Sequence, residues 1–224
     1  KLGFPVKDAE DVVAAFQAQS DLYREVVVKL LRNPSAPEFL DGLEWLRDEV
    51  TARDVGAFFY AGHGMNDRDN DFYFLTREAV PDRLRRTAVP YLEVKKTLGA
   101  LPSKVLAFID ACHSGNAMGG RRGVADINAV ASDLAAAENG VVVFTSSTGN
   151  QFSLEDEAWR NGAFTKALVE GINGQADLIS DGRITIAELE AWIADRVKKL
   201  TRNQQTPTTT RPPAISDFPI AVTR

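Results

Sequence analysis

The chain has 224 residues, a formal net charge of −5, 44% hydrophobic and 25% charged residues, 1 cysteine and 2 histidines. That length buries a sizeable core in one large domain or two small ones, with the composition of an ordinary globular protein. The acidic balance leaves no footprint for nucleic acid or an anionic membrane. No apolar run reaches the roughly 20 residues of a membrane span, and no signal peptide opens the chain. One cysteine excludes an intramolecular disulfide and predicts a reducing, cytoplasmic compartment; with no ligand clusters it also argues against zinc.

In chain order, Lys1 to Pro5 starts abruptly, with no apolar strand. Asp8-Ala9-Glu10-Asp11 leads into Val12, Val13 and Phe16, a helix start with an acidic first turn in which Asp8 is a candidate N-cap. Arg24 to Leu31 reads as a strand. Pro37 begins a helix with Phe39, Leu40, Leu43, Leu46 and Val50 at helical spacing. Val55 to Tyr60 is an apolar strand that stops on Ala61-Gly62-His63-Gly64. Asp67 to Asp71 is a polar turn, Phe72 to Leu75 returns to the core, residues 77–89 form an irregular connector, and Tyr91 to Leu98 is helical. Val105 to Ile109 has the residue types of a strand buried on both faces, and it stops on Asp110-Ala111-Cys112-His113-Ser114-Gly115.

Asn116 to Gly123 is a glycine-rich loop carrying Arg121-Arg122. Asp126 to Asn139 is a helix closed by Gly140, and Val141 to Phe144 is another buried strand ending in a loop from Ser146 to Asp156. Gly162 to Gly171 is helical, Thr185 to Leu200 is a long amphipathic helix, Thr206 to Pro213 is extended, and Pro219 to Val222 is a candidate closing edge strand. Strands alternating with helices predict an α/β fold, a mostly parallel sheet covered on both faces.

A buried strand that delivers a cysteine at its carboxyl end places the thiol where open α/β sheets bind ligands. A histidine between two glycines lies at the end of another such strand. Cys112 and His63 are therefore a candidate nucleophile and base, imidazole activating thiol. The plain alternative for a lone cysteine is a small buried hydrophobe. His113 is a weaker rival base, since adjacent strand residues point apart. The tyrosine-phosphatase pattern is excluded, because Met118 stands where an arginine is required. Asp110 precedes Cys112 by two residues and shares its side of the pleat. A carboxylate there raises the thiol pKa, a cost that makes sense if Asp110 binds a substrate cation. The oxyanion needs two N–H donors, and the backbone amides of Gly64 and Cys112 are the candidates. Asp177 to Glu188 mimics part of a calcium loop, but Ile179 occupies a ligand position; it reads better as a turn at Asp181-Gly182 and a capping box from Thr185 to Glu188.

FFYAGHG followed by FIDACHSG resembles the caspase and metacaspase family of cysteine peptidases. Asp110-Ala111-Cys112 is similar to the bacterial metacaspase or orthocaspase type, and the likeness continues through SSTGNQFSLED and NGAFTKAL. The resemblance implies a three-layer α/β/α sandwich with a caspase-like sheet, a single domain over residues 1–224, and a Cys112–His63 dyad cutting polypeptides after Arg or Lys. It also implies that Asp110 and a second aspartate, matched by Asp8, bind the basic side chain before the scissile bond. Ser146 to Glu155 corresponds to the substrate-binding loop, where backbone pairs with the peptide as an added strand. By the same resemblance Ser153 to Glu155 would form its floor, with Glu155 adding preference for a further basic residue. Ala61 stands where the family often has serine.

Family members open with a central strand absent here, so the resemblance implies a fragment, and it raises a fused repeat or sensor domain as partner. No cofactor is required, but calcium is raised by Asp67, Asp69 and Asp71 near His63, and Arg121-Arg122 by the same likeness is a self-processing candidate. The rival readings are a catalytically silent scaffold or adaptor, a cysteine hydrolase or transferase of small molecules, and a caspase-type aspartate preference. An intact pair argues against the first, a peptide-pairing loop against the second, and Asp110 in the pocket against the third.

Overall fold

The structure is a computed structural model and describes residues 3–113, 127–137, 140–147 and 153–223. The helices are α1 (Pro5–Gln17), α2 (Ala36–Glu49), a single turn α3 (Leu84–Thr87), α4 (Tyr91–Ala100), α5 (Ile127–Ala135), α6 (Ala163–Glu170) and α7 (Ile186–Leu200). The main sheet is built from β1 (Val55–Asn66), β2 (Phe72–Leu75), β3 (Ala88–Pro90), β4 (Lys104–His113), β5 (Val142–Thr145) and, numbered in chain order, β9 (Thr208–Thr210). Its strand order is β3-β2-β1-β4-β5-β9. β1, β4 and β5 are parallel neighbours, β2 and β9 run against them, and β3, antiparallel to β2, shares their direction.

The core follows from alternation along β4. Val105, Ala107, Ile109 and Ala111 pack with residues of α2, α4 and α5 on one face. Leu106 and Phe108 pack with residues of α1, α6 and α7 on the other. Val105 through Ile109 are each 0% exposed, which a strand reaches only when helices cover both faces. Phe108 is register partner of Phe144, and their rings stack with centroids 5.0 Å apart. Burying one such side chain stabilises by about 1.5–3 kcal/mol, so this pair anchors the centre of the second face.

Local chemistry sets the helix ends. Ser35 and Glu38 form a reciprocal capping box at α2, and Thr185 and Glu188 do the same at α7. α5 ends at Ala135, short of the expected Asn139, so Gly140, although left-handed at φ +66°, lies beyond the helix end; Gly182 has φ +82° in the expected turn.

Several expectations change. β1 does not stop at Tyr60, nor β4 at Ile109; their parallel pairing runs on through His63↔Cys112 to Gly64↔His113. The loop-like residue types are overridden because each strand supplies the other's hydrogen-bond partners, while β2 pairs with the end of β1. Arg24 to Leu31 is extended without strand assignment; it has no ladder partner among the described residues, and Val27 is 57% exposed. β1 has its second strand neighbour only from Gly64 to Asn66, and Ala57 is exposed along the earlier stretch.

Pro219–Val222, β10, does not close the main sheet: it pairs antiparallel with β8 (Arg183–Thr185) in a two-stranded sheet. β9 takes the edge beside β5 instead. A third small sheet joins β6 (Glu155–Asp156) to β7 (Asn161–Gly162). Arg121-Arg122 and the loop around them lie outside the described residues.

Candidate active site

The site forms at the carboxyl ends of β1 and β4, where a parallel sheet leaves strand ends uncovered. Register alone brings the two candidate residues together: His63 on β1 is the Cα partner of Cys112 on β4, and Ala61 is the partner of Asp110. The glycines flanking His63 serve packing. A Cβ on Gly62 would lie 2.5 Å from the Tyr60 hydroxyl, and one on Gly64 would collide with the Phe72 ring. The space at Gly62 lets the Tyr60 hydroxyl donate to the carbonyls of His63 at 2.7 Å and Leu75 at 3.1 Å. Tyr60 thereby ties the His63 backbone to β2.

Asp8, Asp110, Ser153 and Glu155 converge on one small pocket beside these strand ends, with Pro5, Ala61, Gly62 and Gly162 completing the wall. Asp8 is 2% exposed and Asp110 5% exposed. Asp110 accepts hydrogen bonds from the hydroxyls of Ser153 and, at 2.9 Å, Thr165. Asp8 is not an N-cap. α1 begins at Pro5 with Phe4 in the cap position, and the Asp8 carboxylate reaches across to accept from Asn161 Nδ2 at 3.0 Å and Gly162 N–H at 3.1 Å. Glu155 accepts from the backbone N–H groups of Gly3 at 2.8 Å and Phe4 at 3.3 Å, satisfying donors at the start of α1.

The electrostatics follow from three carboxyl groups in one place. Burial pushes Asp8 up to about 7, the neighbouring charge of Asp110 adds to the rise, and Asn161, then Gly162, work against it. Burial likewise raises Asp110, opposed by hydroxyl hydrogen bonds from Ser153, Thr165 and Ser146. Lys7, the lysine of α1, is paired with Asp11 and also donates to Asn161 Oδ1 at 3.4 Å.

Asn161, Gly162 and Thr165 were not identified as site residues from the sequence, although NGAFTKAL belongs to the likeness. Gln205 was missed as well. It is fully buried, donates to the Ser146 carbonyl at 2.7 Å and accepts from Leu154 N–H at 2.8 Å, holding the two described ends of the 146–154 loop. Residues 148–152 of that loop lie outside the described residues.

The calcium candidates are otherwise engaged. Asp67 Oδ1 accepts from Asp69 and Asp71 N–H at 2.9 and 3.1 Å, and the Arg85 guanidinium lies 2.6 Å from Asp69 and 3.5 Å from Asp67. A resident guanidinium does not suit a cation site. Asp177 accepts from Asp181 and Gly182 N–H at 3.1 Å each, and Glu188 caps α7. Among the described residues no group of three or more His, Cys, Asp or Glu is placed to hold a metal ion, and no helix is long and apolar enough to cross a membrane.

The sheet and its helices form a cysteine-peptidase scaffold. The family model described as a caspase domain matches residues 1–218, and the chain belongs to that family. Among solved structures, protein GSU0716 from Geobacter sulfurreducens is similar in fold, with a TM-score of 0.66 at 19% identity over 100% of this chain and 91% of that one. No curated protein sequence matches the chain.

Proposed function

We propose that the protein is a cysteine endopeptidase that hydrolyses peptide bonds after arginine or lysine. The observation that carries this reading is the buried Asp8–Asp110 pair in a pocket adjoining the His63↔Cys112 register. In this mechanism His63 takes the Cys112 proton and the thiolate attacks the scissile carbonyl carbon. The backbone N–H groups of Gly64 and Cys112 receive the oxyanion. Collapse breaks the C–N bond as imidazolium protonates the leaving amine, and water activated by His63 then hydrolyses the thioester. Asp8 and Asp110 hold the basic side chain that sets the cleavage position, and Ser153 orients Asp110. Glu155 contributes negative charge at the mouth while fastening α1.

The test is a panel of fluorogenic peptides ending in Arg, Lys, Asp or Leu, with Cys112→Ala and His63→Ala alongside. Cleavage after Arg and Lys that vanishes in both variants is expected. Retained cleavage in Cys112→Ala refutes the mechanism. Silence across the whole panel favours the scaffold reading.

A further inference from the structure

We propose that the flank of β1 facing away from β4 is a strand-addition site. Its occupant is an apolar segment joined ahead of Lys1, lying parallel to β1 between it and Arg24–Leu31, and it steadies the strand that leads to His63.

From Val55 to Phe59, β1 has β4 as its only strand neighbour among the described residues. The side chains beside that flank have the character of an interior. Phe58, Leu46 and Val50 are half-buried on the α2 face, and Val55, Phe59 and Phe16 are half-buried on the α1 face. Ala57 lies exposed between Val55 and Phe59. Arg24–Leu31 runs extended without a ladder partner, exposing Val27 and Val28. It is seated on α2 through Leu31, whose Cδ1 would meet a Gly42 Cβ at 2.7 Å, and through Lys29 over the Trp45 ring.

Handedness gives the position. β3 leads to β4 through α4, and β4 leads to β5 through α5. Both helices cover the same face as α2. Right-handed crossovers carry the chain one way across the sheet when the helix lies on that face and the other way when it lies on the opposite face. α2 therefore brings the chain from Arg24–Leu31 in towards β1, which puts that segment beyond the flank. α1 covers the opposite face, so a parallel strand feeding it lies inward of Arg24–Leu31, against β1.

Direction and chemistry follow. α1 starts at the carboxyl ends of β1 and β4, where Gly3 and Phe4 donate to Glu155, so a strand leading into it runs parallel to β1. Helices cover both of its faces, which demands a near-continuous run of Val, Ile and Leu. It stops short of Gly64, where β2 takes the same flank. The stretch of β1 that leads to His63 then gains a second ladder, and a strand paired on both sides opens less readily than one paired on a single side.

The experiment extends the chain ahead of Lys1 with a strand of about five valines and isoleucines on a Gly-Ser linker, a typical strand length. The control carries serine and lysine instead. Amide hydrogen exchange is the readout. The apolar extension should slow exchange of Val55–Phe59 and Arg24–Leu31 by about ten-fold or more, and the control should not. Equal exchange in the two extended chains overturns the proposal. Slowing confined to β3 or β9 also overturns it, because the added strand has then chosen another edge. Protection of Val55–Phe59 that rises with protein concentration in the unextended chain overturns it in favour of a second copy.

If the apolar extension aggregates, cross-linking of the chain without it decides. In a Cys112→Ser background, Ala57→Cys is paired in turn with Val26→Cys, Val27→Cys and Val28→Cys. Two strand spacings are about 10 Å, so a bismaleimide of that reach should bridge a pair that oxidation leaves open. A direct disulfide at any pair, or no bridge at all, overturns the proposal.

Discussion

Replacing Asp8 with asparagine should stabilise the folded protein at pH 8 and have little effect at pH 4. Burial, with Asp110 and Glu155 adding charge, moves this carboxyl from 3.8 to about 7. Between those values the native state binds more protons than the unfolded chain, so wild-type stability falls as pH rises through the window and levels off above it. Roughly three units correspond to on the order of 4 kcal/mol, a ceiling reached only if nothing relaxes. Asparagine can still accept from Asn161 Nδ2 and Gly162 N–H through Oδ1, but these become weaker neutral hydrogen bonds. A net gain of about 2 kcal/mol at pH 8 is the working figure. For a chain of this length that amounts to about 4–8 °C in melting temperature. The assay is thermal unfolding of both proteins from pH 4 to 9 at fixed ionic strength. The difference between the two curves should open between pH 4 and 7 and hold constant above. Parallel curves would refute the reasoning, for they would mean that Asp8 titrates alike folded and unfolded.

The same carboxyl predicts that KM for an Arg peptide falls as pH rises through about 7, because the pocket must shed its proton to hold a cation; a KM independent of pH from 6 to 8 counts against this. Tyr60→Phe removes the hydroxyl that fixes the His63 carbonyl, costs about 1 kcal/mol in denaturant unfolding and lowers kcat more than it raises KM. Ser35→Ala breaks the α2 capping box and lowers the melting temperature by about 2–4 °C without changing activity. Gln205→Leu leaves the Ser146 carbonyl and Leu154 N–H without their partner, costs about 2 kcal/mol, and weakens peptide binding through the loop it holds; unchanged KM would detach that loop from substrate.

The alternating α/β pattern, the central strands and the Thr185–Glu188 capping box were legible because each depends on residues close in sequence; the Ser35–Glu38 box, equally local, went unread behind Pro37. Strand ends were not. The glycines around His63 suggest a turn to any local reading, and only the neighbouring parallel strand keeps β1 extended through them. Arg24 to Leu31 shows the reverse: β-branched residues lend it strand character, but a strand also needs an edge to pair with. The acidic pocket was half visible. Asp110 could be placed beside Cys112 by pleat alternation, whereas Asp8 was assigned only through family resemblance. Asn161, Gly162 and Thr165 had no signal of their own. They lie more than 50 residues beyond Asp110 and more than 150 beyond Asp8, and only the packing of α6 against α1 brings them in.

The hydrogen bonds from Gly3 and Phe4 to Glu155 have a mechanical consequence. They clip the first turn of α1 to the pocket mouth, and Asp8 is carried on that helix just beyond the clip. One wall of the pocket is therefore fastened through α1 and Glu155, whereas the other, Asp110, belongs to the central sheet. The segment after that helix is fastened as well, since Val222 N–H of β10 donates to Gln19 Oε1 and the Tyr23 hydroxyl to the Ile220 carbonyl, so α1 is anchored at both ends.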